Sequence, residues 1–172
     1  MARLNFLLIV LVLLSGMVAC EEQRSPTVEI WDWSDLNAIR NNLSGRYVLM
    51  RDLDSATDSY KELASETANQ GKGWQPIGTS AGKFTGTFDG QGFEIKDLCM
   101  NRPGEGYVGL FGVVAGGGTI KNIGVVNAYV IGDWCVGSLA GVNWGTVSNS
   151  YSTGSVSGTE QVGGLIGGTV AL

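Results

Sequence analysis

The chain has 172 residues, 27 of them glycine and none histidine, and a net charge of −5. Without histidine there is no Ser-His-Asp triad, no Cys-His pair and no histidine-ligated zinc site. An acidic chain with no basic cluster argues against a nucleic-acid partner. Residues 6–14, Phe-Leu-Leu-Ile-Val-Leu-Val-Leu-Leu, form an unbroken apolar run behind Arg3. The run is too short for a bilayer, which needs about 20 residues. Its layout reads as a secretion signal over 1–19. The remainder of the chain has the length of about one domain.

The signal stops at Met17-Val18-Ala19-Cys20, followed by Glu21-Glu22. This resembles a bacterial lipobox, with Met17 where Leu is preferred. Ordinary cleavage after Ala19 is the rival, and Met17 suits that poorly too. The resemblance implies a diacylglyceryl group on Cys20 and a third acyl chain on the new amino terminus. Two acyl chains suffice for stable anchoring. The implied partner is a membrane, reached through lipid on Cys20, and the implied address is the cell envelope, at the outer membrane or cell surface. Residues 20–30 then comprise the lipidated cysteine and a polar tether containing Pro26.

Residues 31–73 predict a cap, a strand and a loop. Leu36, Ile39 and Leu43 recur at helical spacing over 34–43, with Ser34 as N-cap and Gly45 as stop. Residues 47–54 read as a strand and 55–73 as a polar loop. Asp52, Asp54 and Asp58 hint at calcium. Their spacing lacks the glycine and terminal glutamate of an EF-hand loop, so no metal and no cofactor are expected. In 74–105, apolar and polar residues alternate around Asp89-Gly90-Gln91-Gly92, which predicts strands on either side of a tight turn.

From Gly106 the chain repeats. Val108-Gly-Leu-Phe-Gly112 returns as Val136-Gly-Ser-Leu-Ala-Gly141 and as Val162-Gly-Gly-Leu-Ile-Gly167, the valines lying 28 and 26 apart. Gly118-Thr-Ile-Lys-Asn122 returns as Gly145-Thr-Val-Ser-Asn149, and Gly92-Phe-Glu-Ile-Lys-Asp97 reads as an earlier copy. Such a period marks stacked repeats. Short β-branched runs between glycine turns predict an all-β parallel β-helix, or solenoid, with a short N-terminal capping helix. Residues 74–105 supply the first coil or coils and 106–172 the rest. The expected internal columns are Ile95–Ile120–Val147, Leu110–Leu139–Leu165 and Leu98 over Ile123. Asp97, Asn122 and Asn149 are expected to form a structural ladder of stacked side chains.

The Val-Gly-Gly-Leu-Ile-Gly type of unit, with Gly-Thr-Val-Ser-Asn-Ser-Tyr-Ser-Thr-Gly between copies, resembles the GLUG repeat of bacterial surface and secreted proteins, which include immunoglobulin A peptidases and large adhesins. The resemblance covers about 74–172 and implies a right-handed β-helix. It does not carry over the peptidase activity, because the zinc motif of those enzymes contains histidine.

No catalytic set is recognised. Trp134 and Trp144 are candidate ligand contacts, with Tyr129 and Tyr151 nearby in sequence, since exposed aromatics can stack on sugar rings. Cys99 and Cys135 are expected as buried thiols rather than a disulfide. The expected function is that of a non-catalytic, lipid-anchored, adhesin-like surface protein whose partners are glycans or other surface proteins. One alternative is a polysaccharide-degrading enzyme using Asp133 and Glu160, and another is an inert fragment of a larger surface protein. The repeats stop inside the third copy, which fits either a truncated product or a final coil covered by a partner.

Overall fold

A computed structural model describes residues 26–169. The signal, Cys20 and most of the tether fall in 1–25, outside the described residues, as do 170–172. Strands dominate, and every ladder between them is parallel. The described residues begin with β1 (Thr27–Ile30), α1 (Trp33–Ala38), a 3-10 turn (Ile39–Asn41) and β2 (Arg46–Leu49). The N-cap is Asp32, not Ser34: its carboxylate accepts the Asp35 amide at 2.8 Å. Asp32 is extended and so can reach back to the free amides of the first turn. Trp33, Leu36 and Ile39 are fully buried in the main core, and Leu43 packs partly against it.

The segment 55–73 is less of a loop than expected. It holds the short helix α2 (Tyr60–Leu63), and Ala64 and Ala68 are buried. Then come β3 (Thr87–Asp89), β4 (Glu94–Lys96), β5 (Cys99–Asn101), β6 (Phe111–Val114), β7 (Thr119–Lys121), β8 (Gly124–Ile131), β9 (Trp134–Val136), β10 (Ala140–Asn143), β11 (Thr146–Ser148), β12 (Tyr151–Ser157), β13 (Glu160–Val162) and β14 (Ile166–Thr169). They form four sheets, with orders β1-β2-β3-β7-β11, β6-β10-β14, β4-β8-β12 (β5 also pairing β8) and β9-β13. β3 and β4 flank the turn at Asp89–Gly92 as expected, but they enter different sheets instead of pairing with each other.

Equivalent residues of successive repeats face each other across these ladders, which puts like side chains about 4.8 Å apart. The Leu110–Leu139–Leu165 column is present: Phe111 and Ile166 both pair with Ala140, which sets the leucines over one another. Of the Ile95–Ile120–Val147 column the Ile120–Val147 pair is present, but Phe88 takes the place of Ile95, which pairs with Val125. The other column is corrected. Leu98 is opposite Ala128, because Cys99 pairs with Tyr129. The cause is the true first copy of Gly118-Thr-Ile, which is Gly86-Thr87-Phe88, with Thr87 opposite Thr119.

The same shift rebuilds the ladder. Asn149 donates to Asn122 at 3.2 Å, and Asn122 donates to Asp89, not to Asp97, at 2.9 Å. Asp97 instead accepts from Asn127 at 2.7 Å. Asp97, Asn122, Asn127 and Asn149 all have φ between 48° and 59°. Asp and Asn tolerate this left-handed conformation better than other non-glycine residues.

A charge network ties the amino-terminal segment to the repeats. Lys96 pairs with Asp52 at 2.8 Å and with Glu94 at 2.9 Å, and the Tyr151 hydroxyl donates to Glu94 across Gly124. The Lys96 hydrogen bond holds Asp52 below its ordinary range; Tyr151, then Lys96, do the same for Glu94. Carboxylates depressed in the fold contribute stability above their unfolded values and lose it as the pH falls through the folded ones. We expect the melting temperature to be level near neutrality and to fall below about pH 4.5, the unperturbed carboxylate range. Lys96→Met should make that acid limb shallower. Equal losses between pH 7 and pH 3 in both proteins would exclude the network as the source.

Candidate functional site

The repeat places one residue of each copy in the left-handed region just before the motif valine: Tyr107 (φ 58°), Cys135 (φ 53°) and Gln161 (φ 53°). They lie in one column, since Val108 pairs with Val136 and Val136 with Val162. This kink folds the corner back over the following strand, onto the last glycine of the motif. A Cβ on Gly141 would stand 2.5 Å from the Tyr107 carbonyl carbon and 2.8 Å from the Cys135 oxygen. The kink also carries the side chain of the preceding residue outward. Trp134 is 39% exposed, and its ring lies across Gly106 of the neighbouring repeat, filling the space a side chain there would need.

Tyr107 meets Trp134 edge to face, with ring centroids 4.1 Å apart. Behind Tyr107, a small outer cluster of Val113, Cys135 and Val142 takes Tyr107 and Trp144 as its partly buried margin. Trp144 is therefore half-buried packing, with Lys83 placed 5.4 Å from its ring centroid. Of the two tryptophans marked in sequence, Trp134 presents an open face. Tyr107, which the sequence reading passed over, brings both into one neighbourhood.

Gly106 and Tyr107 line a cavity of about 360 Å³ with Gln75, Pro76, Thr79, Ser80, Arg102 and Glu105. Arg102 is almost fully buried. Its Nε donates to the Trp74 carbonyl at 2.9 Å, and its Nη1 pairs with Glu105 at 2.8 Å. Glu105 also pairs with Lys72 at 2.8 Å. The Lys72 and Arg102 hydrogen bonds hold Glu105 below the usual carboxylate range, against a counteracting effect of burial. The site thus joins an aromatic platform to hydroxyls, carbonyls and fixed charges. Such a set can stack on the apolar face of a ring while hydrogen-bonding its edge.

A broader groove, of about 840 Å³, lies between the segment carrying Tyr60 and the β5–β8–β12 face, with Asp97, Asn127 and Tyr129 on its wall. Tyr129 is 52% exposed. Tyr151 is engaged with Glu94 instead. Asp133 and Glu160 do not face each other. Glu160 is opposite Trp134, while the Asp133 carboxylate accepts the Thr159 hydroxyl at 2.5 Å. Cys99 and Cys135 are free, buried thiols. Burial raises both above the usual thiol value, so neither is primed as a nucleophile. Asp54 is spent on a turn, accepting from Ala56 and Thr57, and no cluster of metal-ligating side chains occurs among the described residues.

Residues 132–157 match the GLUG motif, the repeat that contains Trp134, Cys135 and Gly141. The chain is 38% identical over 147 residues to halomucin of Haloquadratum walsbyi, covering 82% of this chain and 2% of that protein. It is 33% identical over 119 residues to a protein of Evansella cellulosilytica named as a Gly-rich membrane protein, covering 66% of this chain and 13% of that one. The chain thus spans only a small part of the length of either relative. No solved structure matches it.

Proposed function

We propose that this is a non-catalytic cell-surface protein that binds glycans, in an adhesin-like role, at the Tyr107–Trp134 platform. Its domain is a right-handed parallel β-helix. The chain is held at its membrane by lipid on Cys20 after loss of residues 1–19. The names of the relatives, halomucin and a Gly-rich membrane protein, support a surface or membrane address. The observation that carries the binding reading is the outward ring of Trp134 beside a cavity of hydroxyl, carbonyl and charged groups. Large aromatics such as tryptophan carry much of the energy at recognition sites.

A glycan array probed with the full chain in detergent tests it. Trp134→Ala should cut binding about tenfold or more, the worth of one aromatic contact, with an unchanged circular dichroism spectrum. Binding indifferent to Trp134 would remove the platform from the reading. The anchor is tested separately. Mass spectrometry of membrane-extracted protein should find the amino-terminal Cys20 acylated, and an unmodified cysteine there would end the lipid reading.

A further inference from the structure

We infer that the glycan taken at the Tyr107–Trp134 site is anionic, bearing carboxylate or sulfate groups; this rests on the glycan reading above and names its substrate class. Although acidic overall, the chain gathers cations around this cavity. Arg40, Lys72, Lys83 and Arg102 each bond to a residue that lines the cavity beside the platform. The Arg40 Nη2 donates to the Gln75 carbonyl, Lys83 to the Ser80 carbonyl at 3.0 Å, and Lys72 and Arg102 both reach Glu105. Glu105 is the one carboxylate in this set, so the bank under Gln75–Lys83 carries a net positive charge in a protein whose net charge is −5.

Arg40, like Lys83, has no carboxylate partner among the described residues. Its guanidinium lies over the Trp74 ring at 4.6 Å, its Nη1 donates to the Asn37 carbonyl at 3.1 Å and to the Asn37 side-chain oxygen at 2.6 Å, and its buried Nε has no hydrogen-bond partner among the described residues. None of the ion pairs among those residues includes it. Burial, and then the neighbouring Arg102 charge, lower it to about 10, so it stays charged at neutral pH. Glu105 answers the Arg102 charge, and an anion would answer that of Arg40. Glu160 stands opposite Trp134 in register, and the carboxylate of the adjacent Asp133 is turned to Thr159 of the same outer repeat. They would repel the same ligand. The charged groups of the sugar therefore enter from the Gln75–Lys83 side, while a ring face rests on Trp134. A guanidinium suits planar carboxylate and sulfate groups, to which it can donate in pairs.

The test titrates the full chain, in detergent, with three oligosaccharides of matched length: neutral dextran, alginate (uronate) and dextran sulfate. At about 20 mM salt, where screening is weak, a charged sugar should bind about tenfold more tightly than dextran, an advantage lost by about 300 mM. Whether alginate or dextran sulfate shows it identifies carboxylate or sulfate as the recognised group. The double variant Lys72→Gln/Lys83→Gln removes two of the four cations and should cut the preference at least about threefold, with the melting temperature changed by no more than about 2 °C, the scale of a surface ion pair; an unchanged preference would overturn the assignment. Dextran bound as tightly as the charged sugars, still through Trp134, would overturn the anionic assignment and leave the glycan reading standing. Failure of all three to bind would overturn both.

Discussion

Gly141→Ala is expected to destabilise the fold by about 3 kcal/mol, an overpacking cost at the upper end of the usual range, and to lower the melting temperature by about 10 °C for a chain of this size. A methyl at this position would press on the backbone of Tyr107 and Cys135 and on no side chain that could turn away. Those atoms are fixed by the Tyr107 amide donating to the Trp134 carbonyl at 2.9 Å and by the Val108 amide donating to Cys135 at 3.1 Å. Relief would therefore require moving two repeats apart. Gly117→Ala is the matched control, because a Cβ there meets nothing within 4 Å. Its melting temperature should change by no more than about 2 °C, the scale of a surface substitution. Equal effects of the two substitutions in a circular dichroism melt would show that glycine content, and not the crossing of the corner over the strand, sets the requirement.

The second large effect is expected from Phe111→Ala, about 4 kcal/mol. Phe111 is fully buried and is the centre of three rings, with centroids 4.9 Å from Phe84 and 5.5 Å from Phe88. Its neighbours in register are Ala140, too small to fill the gap, and Ile77, itself fully buried and fixed by its backbone bonds to Leu110 and Gly112. The strands on either side are held in register by main-chain ladders, so the walls cannot close on the cavity. Phe111→Leu should cost less than half as much, since it keeps most of the volume. Urea unfolding measures this through the midpoint at constant slope. A Phe111→Ala midpoint within error of the parent would mean that the core at this level collapses freely.

The all-β class, the repeat and the leucine column were legible because they depend on one local string, Val-Gly followed within two residues by Leu and then a closing Gly, recurring at close to one spacing. The first copy was misread for an equally physical reason. Gly92-Phe-Glu-Ile-Lys-Asp97 looks like Gly118-Thr-Ile-Lys-Asn122 as text. Stacking, however, is decided by which residue faces inward at which corner, and Gly86-Thr87-Phe88 occupies that place. The segments joining the early strands differ in length from the later ones, so sequence distance does not report register. Trp134 could be marked from its type and its place beside a turn. The cavity next to it could not, because 75–80 and 102–107 meet only through folding. Tyr107 did have a signal: it holds the same position before the motif valine as Cys135 and Gln161.

The matched columns also govern how a chain of this kind can change length. Phe111 and Ala140 are farther apart in sequence than Ala140 and Ile166, yet all three are in register. Part of the surplus is absorbed by a bulge within β8, the irregular step between Ser152 and Gly154 opposite Val125 and Ala128, where Asn127 takes a φ of 55°. Insertions are therefore admissible at such bulges and at the turns between strands. In a regular stretch of strand, one added residue would turn every inward side chain after it to the solvent. Growth or shortening through the strands themselves is allowed only in whole repeats, so length in such a chain is quantised, and duplication is its natural unit of variation.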